Sequence, residues 1–310
     1  FGDVLTVDAA YYNTLALDQI AQGFRASYGT GFVLNTANNS SVRNQGVELS
    51  IGVKLIRKKD FDWNVQFNVN HMWNKVLAIP MPIDIAGADY YDASTWLYSN
   101  ARGGLRPGYS TGTITSFGYR RQDLSAPGPN GLSKNDGEVL ISPTTGLPLN
   151  DGVFRVRGDR TVGLSVGTIN RLRYKNLSLS FLWDLRIGGD IFNATGMYLT
   201  TLGKSAKTAD RLTPRVISGI IQDGLQNTAT PTRNNILVTP YYNNTYYNST
   251  NMPEEDYMER NIKAFRLRDI TLSYTVPSKA LLNNAAKGMD HPGLLDFVNF
   301  KSLSLFVTMN

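Results

Sequence analysis

Apolar and polar residues alternate without a break over Gly46–Leu55, and again over Phe61–Asn70. In the first run Val47, Leu49, Ile51, Val53 and Leu55 share one side; Gly46, Glu48, Ser50, Gly52 and Lys54 share the other. In the second, Phe61, Trp63, Val65, Phe67 and Val69 oppose Asp62, Asn64, Gln66, Asn68 and Asn70. Side chains alternate across a strand, so a period of two predicts β-structure. At 42% hydrophobic residues, a perfect ten-residue alternation arises by chance in roughly one window per thousand. Here two stand almost back to back. The "IRKKD" between them suits a hairpin connection.

The same pattern, less strict, predicts more strands. Val4–Tyr12 places Leu5, Val7, Ala9 and Tyr11 together, and Thr161–Asn170 places Val162, Leu164 and Val166 together. Leu177–Leu185 aligns Leu177, Leu179, Phe181, Trp183 and Leu185 against Ser178, Ser180 and Asp184, with Leu182 the exception. Ile270–Val276 and Asn299–Met309 follow, and Ser110–Tyr119 is a weaker candidate. The total is roughly eight to ten strands. Connections at 57–60 and 172–176 are tight. Those at about 13–45, 74–109, 120–160 and 187–262 are long, and loops of that length tend to carry function. Pro277–Gly293 suits one or two helical turns on the short-turn side.

An antiparallel sheet with one wet face would explain any single strand. The lengths favour a transmembrane barrel, because a tilted strand needs about 9–11 residues to cross a bilayer. In that arrangement Val47, Leu49, Ile51, Val53, Trp63, Val65, Phe67, Val69, Leu179, Phe181 and Trp183 face lipid. Glu48, Asp62, Asn64, Gln66, Asn68 and Asn70 face a hydrated lumen. Tyr11, Tyr12, Trp73, Trp183 and Tyr274 lie near strand ends, which suits interfacial girdle residues and nearly as well suits ordinary strand-end aromatics. The expected class is all-β: an antiparallel transmembrane β-barrel portion with long extracellular loops.

Composition narrows the chemistry. Cysteine is absent, and His71 and His291 stand far apart, so neither a metal site nor a histidine-based catalytic cluster is expected. The net charge of +6 is scattered apart from Arg57–Lys59, which argues against nucleic acid as a partner. The acids of the loops read as solvated charges, and no cofactor or enzymatic activity is expected. Two loop stretches are rich in aromatics: Tyr90, Tyr91, Trp96 and Tyr98 in one, Tyr241, Tyr242, Tyr246 and Tyr247 in the other. Aromatic faces beside amides suit sugars and peptides alike, but packing of the loop on itself or on a lipoprotein partner is the first expectation for such residues.

The stretch Asn35–Val76 resembles the SusC/RagA-like family of TonB-dependent outer-membrane transporters. The matching residues are Asn44, Gly46, Val47, Glu48, Phe61, Trp63, Asn70, Asn74, Lys75 and Val76. Tyr174, Lys175, Gly188, Gly189, Asp190 and Asn193 continue the likeness, as do Ala264–Leu282 and the closing "LSLFVTMN". Each motif is weak alone; the ordered set is specific. The resemblance implies that residues 1–310 are the C-terminal part of a barrel of about 22 strands, with plug, TonB box and final strand outside this chain. It implies the outer membrane of a Gram-negative, Bacteroidetes-like bacterium. It also implies TonB-dependent import of a large nutrient, a glycan or an oligopeptide, with glycans slightly ahead on family frequency. Expected partners are a SusD-like surface lipoprotein, outer-membrane lipid and, through the absent segments, the TonB–ExbB–ExbD complex. A loop common in the family keeps only Asp136, Gly137 and Ile141 here, so no metal is expected there. The rival readings are a passive porin-like barrel and a secreted β-sandwich binding module.

Overall fold

A computed structural model describes residues 4–25, 29, 31, 34–79, 84–85, 88–89, 96–127, 133–277 and 302–309. Its frame is a sheet of seven strands: β1 (Leu5–Arg25), β2 (Leu34–Arg57), β3 (Phe61–Ala78), β4 (Leu164–Tyr174), β5 (Leu177–Ile187), β6 (Lys263–Pro277) and β7 (Ser302–Met309). Each pairs antiparallel with its neighbours in this series, giving an up-and-down meander whose two long connections carry shorter strands of their own. The short turns, Lys58–Asp60 and Lys175–Asn176, lie at one end. They are tied together there, because the Lys175 amide donates to the Asp60 carbonyl at 2.8 Å.

Register divides the sheet into two faces. Val47, Leu49, Ile51 and Val53 lie opposite His71, Val69, Phe67 and Val65 on β3, and opposite Tyr11, Ala9, Val7 and Leu5 on β1. A bulge between Lys54 and Ile56 leaves Leu55 without a partner and sets Ile56 opposite Trp63. The apolar alternation thus survives the extra residue. Towards the other edge of the sheet, on this same face, Leu179, Phe181 and Trp183 oppose Leu272, Ile270 and Leu267. The Trp183 and Phe265 rings stack at 4.6 Å. Among the described residues no second sheet covers this apolar face. Val7, Val47, Phe67, Phe265, Leu272 and Leu305 are all exposed on it. Val65 is 5% exposed, lying between the larger Trp63 and Phe67 on the same face.

Several expectations require correction. Most of 13–45 is not loop: β1 runs on to Arg25 and β2 begins at Leu34. β3 likewise extends to Ala78. The strand expected at Thr161–Asn170 is Leu164–Tyr174, and its outer face is interrupted by Thr168 and Asn170 between the apolar Val166 and Leu172. Tyr12 pairs with Gly46 on the amide-bearing face, away from Tyr11. The Tyr12 ring lies directly over Gly46, where a Cβ would displace it. Seven strands, not eight to ten, make the described wall. The helical turns expected within Pro277–Gly293 fall almost entirely outside the described residues.

The weak strand at Ser110–Tyr119 is real only over Thr113–Ser116, and it lies outside the wall. It belongs to a four-stranded sheet ordered Arg155–Asp159, Thr113–Ser116, Ala101–Gly103, Trp96–Tyr98. With two-residue ladders and one helix, α1 (Ala194–Thr201), this sheet folds the two long connections into a cap. The cap holds nearly all of the buried apolar side chains, among them Ile114, Ile141, Leu147, Met197, Ile220 and Met258.

Candidate functional site

The amide-bearing face of the wall is the first component. Glu48 pairs with Asn70, Ser50 with Asn68, Gly52 with Gln66, Lys54 with Asn64 and Arg57 with Asp62. The side chains bond across the strands. Ser50 Oγ donates to Asn68 Oδ1 at 3.0 Å, Gln66 Nε2 donates to Asn68 Oδ1 at 3.2 Å, and Asn70 Nδ2 donates to Glu48 Oε1 at 3.2 Å. Asp62 is held by Arg173. Asp184 receives Arg268 at 2.6 Å and Arg186 at 3.3 Å. Small residues keep this surface open: an accessible hollow of about 380 Å³ lies over Asp8, Glu48, Ser50, Asn68, Asn70 and Gly167. Such a surface presents donors and acceptors already fixed in place. Part of it is apolar, where Ile169 pairs with Leu182.

The second component is the cap. Its organising segment is Pro253–Tyr257, a 3-10 turn spanning Glu254–Tyr257. Glu254 is fully buried, and its Oε1 accepts from the Asn100 amide at 3.0 Å and from Asn100 Nδ2 at 3.1 Å. Glu255 receives Arg121 and Arg157, each at 2.7 Å. Asp151 completes the cluster with Arg155 at 2.6 Å. The Tyr119 hydroxyl donates to Asp256. Burial pushes the Arg157 guanidinium below its ordinary value, against the opposing pull of Glu255 and Asp151. Burial first, and then the Asp256 charge, raises the Tyr119 hydroxyl above its ordinary value. One acidic turn from the second connection is thereby locked to three places in the first. The expectation that loop acids are merely solvated fails here. The available signal was three consecutive acids enclosed by Pro253 and Tyr257.

The tyrosines of the 241–247 stretch divide between surface and core. Tyr241 and Tyr242 are 62% and 82% exposed, with ring centroids 5.3 Å apart in an edge-on contact. Tyr246 is buried beside Leu147 and Val238 and packs on Tyr247, so its role is in the cap core. Tyr98 is exposed and meets Tyr198 of α1 edge-on at 6.3 Å. Trp96 opens a cap strand; Tyr90 and Tyr91 lie outside the described residues. Among the described residues, Tyr98, Tyr241 and Tyr242 are exposed while Tyr246 belongs to the cap core. Among the described residues no cluster of His, Asp and Glu has the makings of a metal site.

Comparison with known proteins bears on both components. No family model matches the chain. TonB-dependent receptor P3 of Formosa agariphila is 27% identical over 183 residues, 56% of this chain and 18% of the receptor. TonB-dependent receptor P39 of the same organism is 26% identical over 197 residues. Among solved structures, the RagAB peptide importer in its closed-closed state superposes with a TM-score of 0.58 at 15% identity. That match covers 99% of this chain and 30% of the importer chain. The open-open state gives a TM-score of 0.57. The chain resembles the SusC/RagA-like TonB-dependent transporters in sequence and in fold. It spans less than a fifth of the curated relatives and less than a third of the RagAB chain. The relatives of this SusC/RagA-like barrel portion are receptors and an importer rather than enzymes. With that likeness, the seven-stranded meander is a piece of barrel wall, and the cap is its elaborated loop side.

Proposed function

We propose that residues 1–310 form the C-terminal part of a TonB-dependent outer-membrane importer for a large nutrient, a glycan or an oligopeptide. The observation that carries this reading is the wall's two-sidedness. One face is exposed and apolar across six consecutive strand pairings; the other carries fixed amides, hydroxyls and paired charges. On the apolar face of β3, Trp63 and Trp73 are ten residues apart. At roughly 3.3 Å per residue and a tilt of about 40°, they bracket a band about 25 Å tall, the height of a barrel's lipid-facing belt. The apolar residues named above face lipid, and Glu48, Asp62, Asn64, Gln66, Asn68 and Asn70 line the substrate path. The short turns face the periplasm and the cap faces outward. Tyr98, Tyr241 and Tyr242 are the exposed aromatics that meet substrate or a SusD-like lipoprotein. Coupling to the TonB–ExbB–ExbD complex runs through parts of the protein beyond this segment.

The test is uptake. A strain lacking the full gene is grown on a panel of polysaccharides and oligopeptides, with and without depletion of TonB. Loss of growth on one class, reproduced by TonB depletion, supports the reading. Uptake that persists without TonB supports a passive pore instead. A full-length protein recovered as a soluble monomer without detergent would return the β-sandwich reading.

A further inference from the structure

Above the apolar band, on the same face, two cations stand directly opposite each other. Arg43 of β2 pairs with Lys75 of β3, in unbroken register with Gln45 opposite Trp73 one step below. Both are exposed. Below them the belt is hydrogen-bonded: Trp73 Nε1 donates to Gln45 Oε1 at 3.1 Å, and Gln45 Nε2 donates to the Tyr11 hydroxyl at 2.8 Å. Like charges directly opposite on neighbouring strands repel. Among the described residues neither cation has a salt-bridge partner. The same face of β1–β3 carries no carboxylate from Leu5 to Leu17, from Arg43 to Ile56 or from Phe61 to Leu77, because Asp8, Glu48 and Asp62 all lie on the other face. Asp18, past a register shift in β1, is not ion-paired to either cation. On β6 the order repeats, with Phe265 stacked on Trp183 and the exposed Lys263 two residues further out.

We propose that Arg43 and Lys75 bind the phosphate of an anionic glycolipid headgroup in the outer leaflet. Leu15, opposite Arg43 and exposed, lies against the top of its acyl chains. A phosphate relieves the cross-strand repulsion by accepting from both side chains at once. Its position one step above the aromatic belt is the depth at which headgroup charge lies. The site rests on the outer-membrane reading given under Proposed function. It adds to that reading a specific lipid contact, placed away from the substrate path.

The experiment uses the full-length receptor, extracted from outer membranes, stripped of lipid in detergent and offered lipid A. Retained lipid is measured by native mass spectrometry. Arg43→Gln with Lys75→Gln is expected to lower retention about thirty-fold, and each single change about five-fold. Lys54→Gln, on the opposite face, leaves it unchanged. Lipid A with its phosphates removed binds the unaltered receptor as weakly as lipid A binds the double variant. Equal retention by the double variant, or indifference to the lipid phosphates, overturns the proposal. Complete displacement by inorganic phosphate at about 10 mM identifies a soluble-anion site and overturns the lipid assignment. Recovery of each variant in the outer-membrane fraction, with heat-modifiable mobility, is scored separately. Failure of the unaltered receptor in that assay sinks the membrane reading itself; normal insertion with unchanged lipid retention sinks only this inference.

Discussion

Replacing Phe67 by arginine probes the wall's two faces most directly. Phe67 lies on the apolar face between Ile51 and Thr168, 38% exposed, four residues from Trp63 and six from Trp73. That places it near the middle of the band. An arginine at the midplane of a lipid-facing strand costs about 2–4 kcal/mol, falling to about 0–1 kcal/mol near the interface. Asn68 is one residue on, facing Ser50 and Gly167. Arginine there loses the bonds to Ser50 and Gln66, a net loss of about 1 kcal/mol, but its charge remains in water and its neighbours are small. Trp73→Arg adds a third point at the edge of the band. The assay is denaturant titration of the full-length receptor folding reversibly into vesicles. The expected order of destabilisation is Phe67→Arg well above Asn68→Arg and Trp73→Arg. Equal cost at Phe67 and Asn68 would refute the assignment of faces.

Other outcomes follow from particular contacts. Asn170 is 8% exposed on the apolar face, and Trp63 Nε1 donates to its Oδ1 at 3.4 Å. Asn170→Leu should cost about 1 kcal/mol by stranding the indole N–H, and adding Trp63→Phe should change stability by less than the two single effects combined. Glu254→Ala leaves both Asn100 donors without an acceptor and should cost about 2–3 kcal/mol, confined to the cap. Hydrogen exchange would show faster amides at 96–122 and 253–258 with the wall unchanged, and Glu254→Gln should restore most of the protection. The Ser133 hydroxyl, ahead of the Asn135 amide, holds the Asp123 carboxylate below its ordinary value of 3.8. A depressed folded-state pKa gives stability that is present above 3.8 and lost as pH falls through the lower, folded value. Exchange at Asn135 should therefore accelerate with acid below about pH 4, and Asp123→Asn should remove that dependence.

The parts of the fold that could be read from the sequence are those where lipid would enforce a rule. Across the band every second residue has to be apolar, so Gly46–Leu55, Phe61–Asn70 and Leu177–Leu185 declare themselves. Beyond the band both faces of a strand are polar. The same strand β2 continues through "NTANNSSVRNQ" with no period at all, and was expected to be loop. β4 was blurred differently, since Thr168 and Asn170 occupy apolar-face positions that Trp63 and its neighbours shield. The cap was hidden because its ladders are mostly two residues long and its core draws on single residues far apart in sequence, such as Ile141 and Ile220. The acids at 254–256 looked solvated because their partners, Asn100, Arg121 and Arg157, lie some 100 or more residues away.

The cap also bears on how the wall comes together. Hairpins β2–β3 and β4–β5 close over a few residues, but β3 and β4 are separated by the whole stretch from Ala78 to Leu164. Bringing the ends of so long a free chain together costs on the order of 4 kcal/mol in entropy. Once the second connection supplies the Glu254 and Glu255 contacts and the core shared by both connections has formed, the first connection behaves as a short strut and most of that cost is removed. Weakening the pins would then slow the zipping of β4 onto β3 during assembly, while the finished wall, once zipped, would hold as firmly as before.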